Sequence, residues 1–544
     1  MRFFEGIVTN AFLSQRIGEV QIEGLFVDGK TKLLGSTNNL GEFSIEKCSD
    51  LQKIRFINNN YLTKEYAPPF NFALPIRLLE KRIIAYQEKM SFCPGSNVNV
   101  YVNSPDDFSA VLMRDGIVNE QVLDIGVFSP ILQIVPDGYF VEVGLSWIVA
   151  FEYTIPKDAE PGLYTLRLKS AANKNDFYNL SFIVCSVNQQ KNKLLVIPST
   201  NNWQTYNIWG GRSRYRNFEH LSLKQKNDSL RQFWIKYVPD FIKDRTKRIL
   251  RKKFPITVTD APLNFQFRKL SIKRPHPNCS IDSKDPHKPY TSHLAENTWR
   301  LISWLERQNI KYDIASGFDI HRNPEVLKNY STIILSSHNE YWSKEMFRGL
   351  KEFFYSGGSI LNLSGNSIYR EVEFYEDGSL RCVSLNFSES VADETEIIGV
   401  RFTMKGYGTC APYKVLAPDH WIYEGLDLKK GDTFGTKSLN RPTPENEKKF
   451  EIDPASSPGL AKLTGEGASG WETDKLSRTA PKDIILVAKG MNPRNGGADM
   501  IVREKTDKHG LLFSASSITF AGSLLVDDVC SKLVVNVIKK TLDD

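Results

Sequence analysis

The stretch from residue 332 to residue 363 constrains this chain most. It reads as a strand, Thr332-Ile333-Ile334-Leu335, followed by the loop Ser336-Ser337-His338-Asn339-Glu340-Tyr341-Trp342-Ser343. An amphipathic helix over 345–354 and a second strand over 359–363 come next. The helix carries apolar side chains at 346, 347, 350, 353 and 354, a single stripe at helical period. Ser343 suits its N-cap, Glu345 its positive end, and Gly357-Gly358 its stop. A strand–helix–strand unit of this length joins parallel neighbours through a right-handed crossover. Residues just past such a strand stand at the rim where open α/β sheets bind ligands. The run Leu194-Leu195-Val196-Ile197-Pro198 reads as another strand, and Trp203-Gln204-Thr205-Tyr206-Asn207-Ile208-Trp209-Gly210-Gly211 follows it. If both strands belong to one parallel sheet, the two loops share a rim.

A length of 544 residues exceeds one compact core, so several domains are expected. Residues 1–80 read as a small β-sandwich, with short alternating runs such as Gly18-Glu19-Val20-Gln21-Ile22 between turn signals such as Asp28-Gly29. Residues 81–187 read as a second, Ig-like sandwich. There Val98-Asn99-Val100-Tyr101-Val102 alternates, and a Pro161-Gly162 turn leads into Leu163-Tyr164-Thr165-Leu166. The polar linker 188–193 marks a boundary, and an α/β domain with a mostly parallel sheet is expected over 194–544. Within it, 292–307 is helical in period, with Leu294, Thr298, Leu301 and Leu305 on one stripe. Lys311-Tyr312-Asp313-Ile314-Ala315 reads as a strand, whereas 375–500 shows strand-like pieces and long loops without a clear period.

The charge balance, 70 basic against 63 acidic residues for a net +7, is mild over this length and gives no reason to invoke nucleic acid. The basic run 243–253 reads as a solvated face, or alternatively as a docking patch for an acidic partner or a membrane surface. Seven cysteines are scattered without CxxC spacing, which argues against a disulfide framework or structural zinc and fits a reducing compartment. No apolar run reaches the roughly 18 residues that span a bilayer, and the N-terminus lacks the apolar core of a signal peptide. A cytoplasmic protein without a transmembrane segment is expected.

His338 and Glu340 fall on one side if the strand persists, and such a pair can bind a metal or move protons. A capping carboxylate and a hydrogen-bonded histidine explain the pair equally well. Tyr206 lies between Trp203 and Trp209; its residue type favours an aromatic core plug, and the sharper reading is a phenolate ligand. Tyr215 is a second candidate of that kind. Asp319-Ile320-His321 also follows a strand, where a helix cap is the favoured reading. Trp203, Asn207, Trp209, Trp342, Asn366 and His321 are candidate pocket residues. Gly465-Glu466-Gly467-Ala468-Ser469-Gly470 matches GxGxxG by letter but lacks the preceding strand and following helix of a nucleotide site. No GxSxG elbow, Walker A loop or HExxH helix is present, and no cysteine sits where a sheet-edge nucleophile would.

Taken together, several motifs resemble the large (beta) subunit of the N,N-dimethylformamidase family over about 195–544. They are Tyr206-Asn207-Ile208-Trp209-Gly210-Gly211 with Ser213 and Tyr215, Arg274-Pro275, and Trp304-Leu305-Glu306 with Tyr312-Asp313. Further on come Asp319 and His321, His338-Asn339-Glu340-Tyr341-Trp342-Ser343, Gly365-Asn366, Gly470-Trp471-Glu472-Thr473-Asp474, and the run from Ser517 to Ser523. More loosely, the first segment resembles carboxypeptidase regulatory-like domains. The formamidase resemblance implies a glutamine-amidotransferase-like, flavodoxin-like core and one ferric iron held by two tyrosines and a glutamate, with a histidine beside it. Here these would be Tyr206, Tyr215, Glu340 and His338. Its formamide-cleaving members also carry a small subunit and a jelly-roll domain, where this chain opens with two other sandwiches.

The expected function is metal-dependent hydrolysis of an amide or related C–N bond of a small molecule, with His338 and Glu340 catalytic. The alternative is a non-catalytic scaffold whose sandwiches recruit a glycan or protein partner; a homo-oligomer is compatible with either. Metal content separates the two, and the hydrolase reading requires that the oxygens of Tyr206 and Glu340 lie within roughly 5 Å, two metal–ligand bond lengths.

Overall fold

The computed structural model describes residues 3–186, 191–217, 265–282, 293–384, 386–440 and 465–543. The basic run 243–253 lies outside the described residues. The chain is multidomain and mostly β, and it divides into two compact units.

The first unit comprises 1–81, 134–146 and 208–274. Alternation builds it: along Glu42–Glu46 only Phe43 and Ile45 point inward. A three-stranded and a four-stranded sheet share a core that includes Val8, Ile22, Phe43, Phe56 and Phe72. The rings of Phe43, Phe56 and Phe72 meet edge to face at 5.3–5.6 Å. Segment 134–146 joins through Asp137, whose carboxylate takes bonds from Lys64 and Tyr66.

The second unit comprises 82–133, 147–207 and 275–544. Its first part holds a three-stranded and a five-stranded sheet. Its largest element is a nine-stranded sheet. Five strands there are parallel neighbours: Asp313–Ile314, Leu194–Ile197, Thr332–Ser337, Ser359–Ser364 and Leu512–Ser514. Numbered in chain order they lie 2-1-3-4-5, the order of flavodoxin-like sheets, in which ligands bind where the winding reverses, between strands 1 and 3. Those two strands are Leu194–Ile197 and Thr332–Ser337.

The sheet is mixed, and the expectation of a mostly parallel one is corrected. Asp499–Arg503, Ile484–Gly490, Tyr413–Val415 and Thr433–Phe434 extend it entirely through antiparallel pairings. Parallel neighbours need a long crossover, usually a helix. Among the described residues between 375 and 520 the α-helices have only four residues each, so the chain turns back on itself instead.

Helices cover the sheet as their stripes dictate. Lys344–Tyr355 buries Met346, Phe347, Leu350, Phe353 and Phe354, and the Ser343 hydroxyl accepts the Met346 N–H at 3.3 Å. Ala295–Arg307 buries Leu301, Ile302, Trp304 and Leu305. The predicted strand over 311–315 shrinks to Asp313–Ile314. Among the described residues no helix is long and apolar enough to cross a membrane.

Candidate functional site

Both rim loops begin where the sheet order reverses. After Leu194–Ile197 the chain enters the short helix Thr200–Tyr206, which ends in Tyr206. After Thr332–Ser337 it turns sharply: Ser337 has φ 61°, a left-handed conformation that a side chain resists. Asn339 clamps this turn, donating from Nδ2 to the carbonyls of Ser336 (2.8 Å) and Ile197 (3.1 Å), the ends of both strands. Asn202 Oδ1 accepts the Glu340 N–H at 3.2 Å. The two loops are therefore bolted together by amides, and the side chains at 338 and 340 are fixed.

Those side chains converge. Tyr206 Oη lies 3.0 Å from His338 Nε2 and donates to Glu340 Oε2 at 3.3 Å. His338 Nε2 is 3.4 Å from the same carboxylate oxygen and 3.8 Å from Glu472 Oε2. The other ring nitrogen, Nδ1, donates to the Gly365 carbonyl at 3.0 Å, which leaves Nε2 aimed at the acids. Glu340 Oε1 accepts from Arg370 Nε at 2.6 Å. His338 and Glu340 are fully buried. The 3.3 Å separation satisfies the requirement that Tyr206 and Glu340 come within reach of one ion.

Glu472 arrives from a third loop. Asn366 Nδ2 donates to its Oε2 at 2.8 Å, and the Asp474 carboxylate in turn accepts the N–H groups of Asn366 and Ser367. Gly365 is required here, because a Cβ on it would stand 2.4 Å from the Glu472 carbonyl oxygen. Asn366 (φ 52°) and Trp471 (φ 63°) are also left-handed, so the loops that carry His338, Asn366 and Glu472 are each strained beside the cluster. A second imidazole, His293, packs 4.4 Å from the Trp471 ring and 5.3 Å from that of His338.

Burial and unequal charge displace proton affinities in opposite directions. Burial alone would lower His338, but Glu340 and Glu472 outweigh it and hold the imidazole up at about 9. Burial and the neighbouring His338 push His293 well below its ordinary value, so it is neutral. Burial raises Glu472, with Glu340 adding to the effect and His338 opposing it. Burial also lifts Asp474 to about 7 and, with Glu472 and Glu340 nearby, Tyr407 to about 12. One cationic histidine beside an acid of raised proton affinity is an acid–base pair.

Trp203 and Trp342 are fully buried in the apolar cores. Asn207 is buried and donates to the Pro275 carbonyl at 2.8 Å. His321 lies in the helix Gly317–Arg322, 2.9 Å from the Ser343 hydroxyl, and Asp319 closes a capping box with Ser316 at its start. Trp209 and Tyr215 belong to the first unit, where Trp209 packs on Phe140 and Tyr215 is 41% exposed.

Whether the cluster suits iron is a question of donors. Among the described residues no three His, Cys, Asp or Glu side chains form a ready cation site. A phenol and a carboxylate 3.3 Å apart, with Glu472 beyond, nevertheless supply hard oxygen donors of the kind ferric iron prefers, so the residues fit the ion.

A family model described as N,N-dimethylformamidase beta subunit-like, C-terminal, matches residues 126–532. No curated protein matches the chain. Among solved structures, Escherichia coli alpha-2-macroglobulin is similar at 11% identity over 34% of this chain and 12% of that one, with a TM-score of 0.13. Salmonella alpha-2-macroglobulin is similar at 12% identity over the same shares, with a TM-score of 0.14. The major pilin subunit of Bacillus cereus is similar at 11% identity over 37% of this chain and 73% of that one, with a TM-score of 0.13. The chain thus spans about an eighth of the macroglobulins.

Proposed function

The chain belongs to the N,N-dimethylformamidase beta subunit-like family, and from that premise we propose that it hydrolyses an amide or related C–N bond of a small molecule at the Tyr206–His338–Glu340–Glu472 cluster. The observation that carries the proposal is the convergence of one phenol, one buried cationic imidazole and two carboxylates where the sheet winding reverses.

Tyr206 and Glu340 would hold a ferric ion, with Glu472 beside it. When bound, such an ion polarises a carbonyl and makes water acidic enough to attack at neutral pH. Arg370 fixes the Glu340 carboxylate through Oε1 and leaves Oε2 facing the cluster. Glu472 takes a proton from the attacking water as the C–O bond forms, a role suited to an acid of raised proton affinity. Asn366 orients it by donating to Oε2. His338, anchored through Nδ1, delivers the Nε2 proton to the amide nitrogen as the C–N bond breaks, so that a carboxylic acid and an amine result. Trp471 and His293 form an apolar wall that keeps bulk water out.

The test combines elemental analysis with amine release from a panel of primary, secondary and tertiary formamides and acetamides. Stoichiometric iron that disappears in Glu340→Ala, together with amine release, supports the proposal. Protein that carries no ion after iron loading and releases no amine from any member of the panel sinks it.

A further inference from the structure

The cysteines show no pairing in sequence, but the fold pairs two of them. Cys93 and Cys185 are 92 positions apart, and their Sγ atoms stand 3.4 Å from each other. The strand Ser91–Phe92 runs parallel to Phe177–Val184, with Ile183 opposite Ser91 and Val184 opposite Phe92. One step further in that register, Cys93 faces Cys185, and the Cys185 N–H donates to the Phe92 carbonyl at 2.9 Å. Neighbouring strands lie about 4.8 Å apart, inside the Cα separation of roughly 4.4–6.8 Å that a disulfide spans. We propose that Cys93 and Cys185 are a disulfide site, closed by exchange with a small disulfide of the glutathione class.

The two thiols have different roles. Cys93 is partly exposed and lines a small surface pocket with Pro94, Pro161 and Lys191. Cys185 also reaches this pocket but is the more buried of the two, and its contact with Cys93, reinforced by burial, keeps it protonated. Cys93 therefore attacks first. Its sulfur, having lost a proton, bonds one sulfur of the small disulfide and expels the other as a thiolate. The Cys185 sulfur then bonds Cys93 and expels the second thiolate. The two protein protons go to the two leaving thiolates, so two protein thiols are oxidised and one small disulfide is reduced to two thiols.

The bond would reinforce a strand of only two residues. The same strand holds the α/β layer, because Ser91 Oγ donates to Asp319 Oδ2 at 2.6 Å and Asp319 caps the helix Gly317–Arg322. Closure would therefore fix the seam between the five-stranded sheet and that helix.

To test this, the full-length native protein is incubated with oxidised glutathione, alkylated, digested without reductant and mapped by mass spectrometry. The expected result is one peptide pair joined through Cys93 and Cys185, and two of the seven thiols lost to titration. In Cys93→Ser, with an unchanged circular dichroism spectrum, Cys185 should be recovered as a thiol and linked to nothing. A folded protein that retains both thiols under excess oxidant overturns the proposal. So does stable glutathione on Cys93 beside an unreacted Cys185, or a bond from either to another cysteine.

Discussion

Each unit buries a cluster of charges, and the two clusters obey different rules. In the first unit Lys64 Nζ donates to Asp137 Oδ1 at 2.5 Å and to the carbonyls of Val135 and Arg77, while Tyr66 donates to Asp137 Oδ2 at 2.6 Å. Arg77 stands beside them, its backbone N–H donating to Asp137 Oδ1 at 3.1 Å, so two cations face one anion. In the second unit Glu340, Glu472 and Asp474 meet His338, Arg370 and Lys475, and burial raises the proton affinity of both Glu472 and Asp474. Two buried atoms there, His293 Nδ1 and Asn366 Oδ1, have no hydrogen-bond partner among the described residues. A cluster that only holds a fold ties its charges to fixed partners. One that must exchange protons and receive a ligand keeps acids of raised proton affinity and open valences.

The comparison is broken most directly at Glu472. Glu472→Gln should lower amine release by about 10²–10⁴-fold, the usual worth of a positioned proton acceptor. Stability should not fall at neutral pH. An acid whose folded proton affinity is raised contributes stability only at low pH, and that contribution fades as pH rises above its unfolded value near 4.5. Denaturant titration of both proteins at pH 5 and pH 8 checks the sign. A large loss of stability at pH 8 would mean that Glu472 is tied to fixed partners after all.

Asp137→Ala should do the opposite. It leaves the part-buried Lys64 ammonium without its carboxylate, which costs about 1–3 kcal/mol because solvent reaches both groups. Urea unfolding measures the loss, and turnover under native conditions should be unchanged.

Asp115 offers a third case, a buried acid with no cation in direct contact. The Thr165 hydroxyl donates to it at 2.6 Å, and burial lifts it to about 7 from an ordinary 3.8. Its stabilising contribution is complete below pH 3.8, declines as pH rises towards 7, and is absent above that. At about 1.4 kcal/mol per pH unit the upper limit is about 4 kcal/mol. Asp115→Asn should flatten the stability profile between pH 4 and pH 7, and an unchanged slope would show that water reaches the carboxylate.

The rim was legible because its residues follow strands at short range. Tyr206, His338 and Glu340 each lie within nine residues of a parallel strand, and the Ser343 cap fixes the register of the next helix. Glu472 and Trp471 were visible only as letters of a motif. They sit in a loop between strands of two and three residues, too short to show a period, and reach the site through the close approach at Gly365. His293 read merely as the approach to a helix stripe. Two strands of the antiparallel half escaped for the same reason as Glu472, since Tyr413–Val415 and Thr433–Phe434 are too brief to alternate.

The smallest expected effect makes the sharpest comparison, because each cluster contains one phenol donating to a carboxylate. Tyr66→Phe and Tyr206→Phe remove the same atom from Asp137 and from Glu340. A hydrogen bond to a charged group contributes about 1.5–3 kcal/mol, and the longer contact of Tyr206 places it at the lower end. Both variants should therefore unfold at slightly lower urea concentrations. Only Tyr206→Phe should also lose turnover and bound iron, because its oxygen serves His338 and the ion as well as the fold. Equal stability losses with unequal activity would separate a phenol that holds from a phenol that acts. Equal effects on both properties would mean that the second cluster, for all its raised acids, is only another way of packing charge.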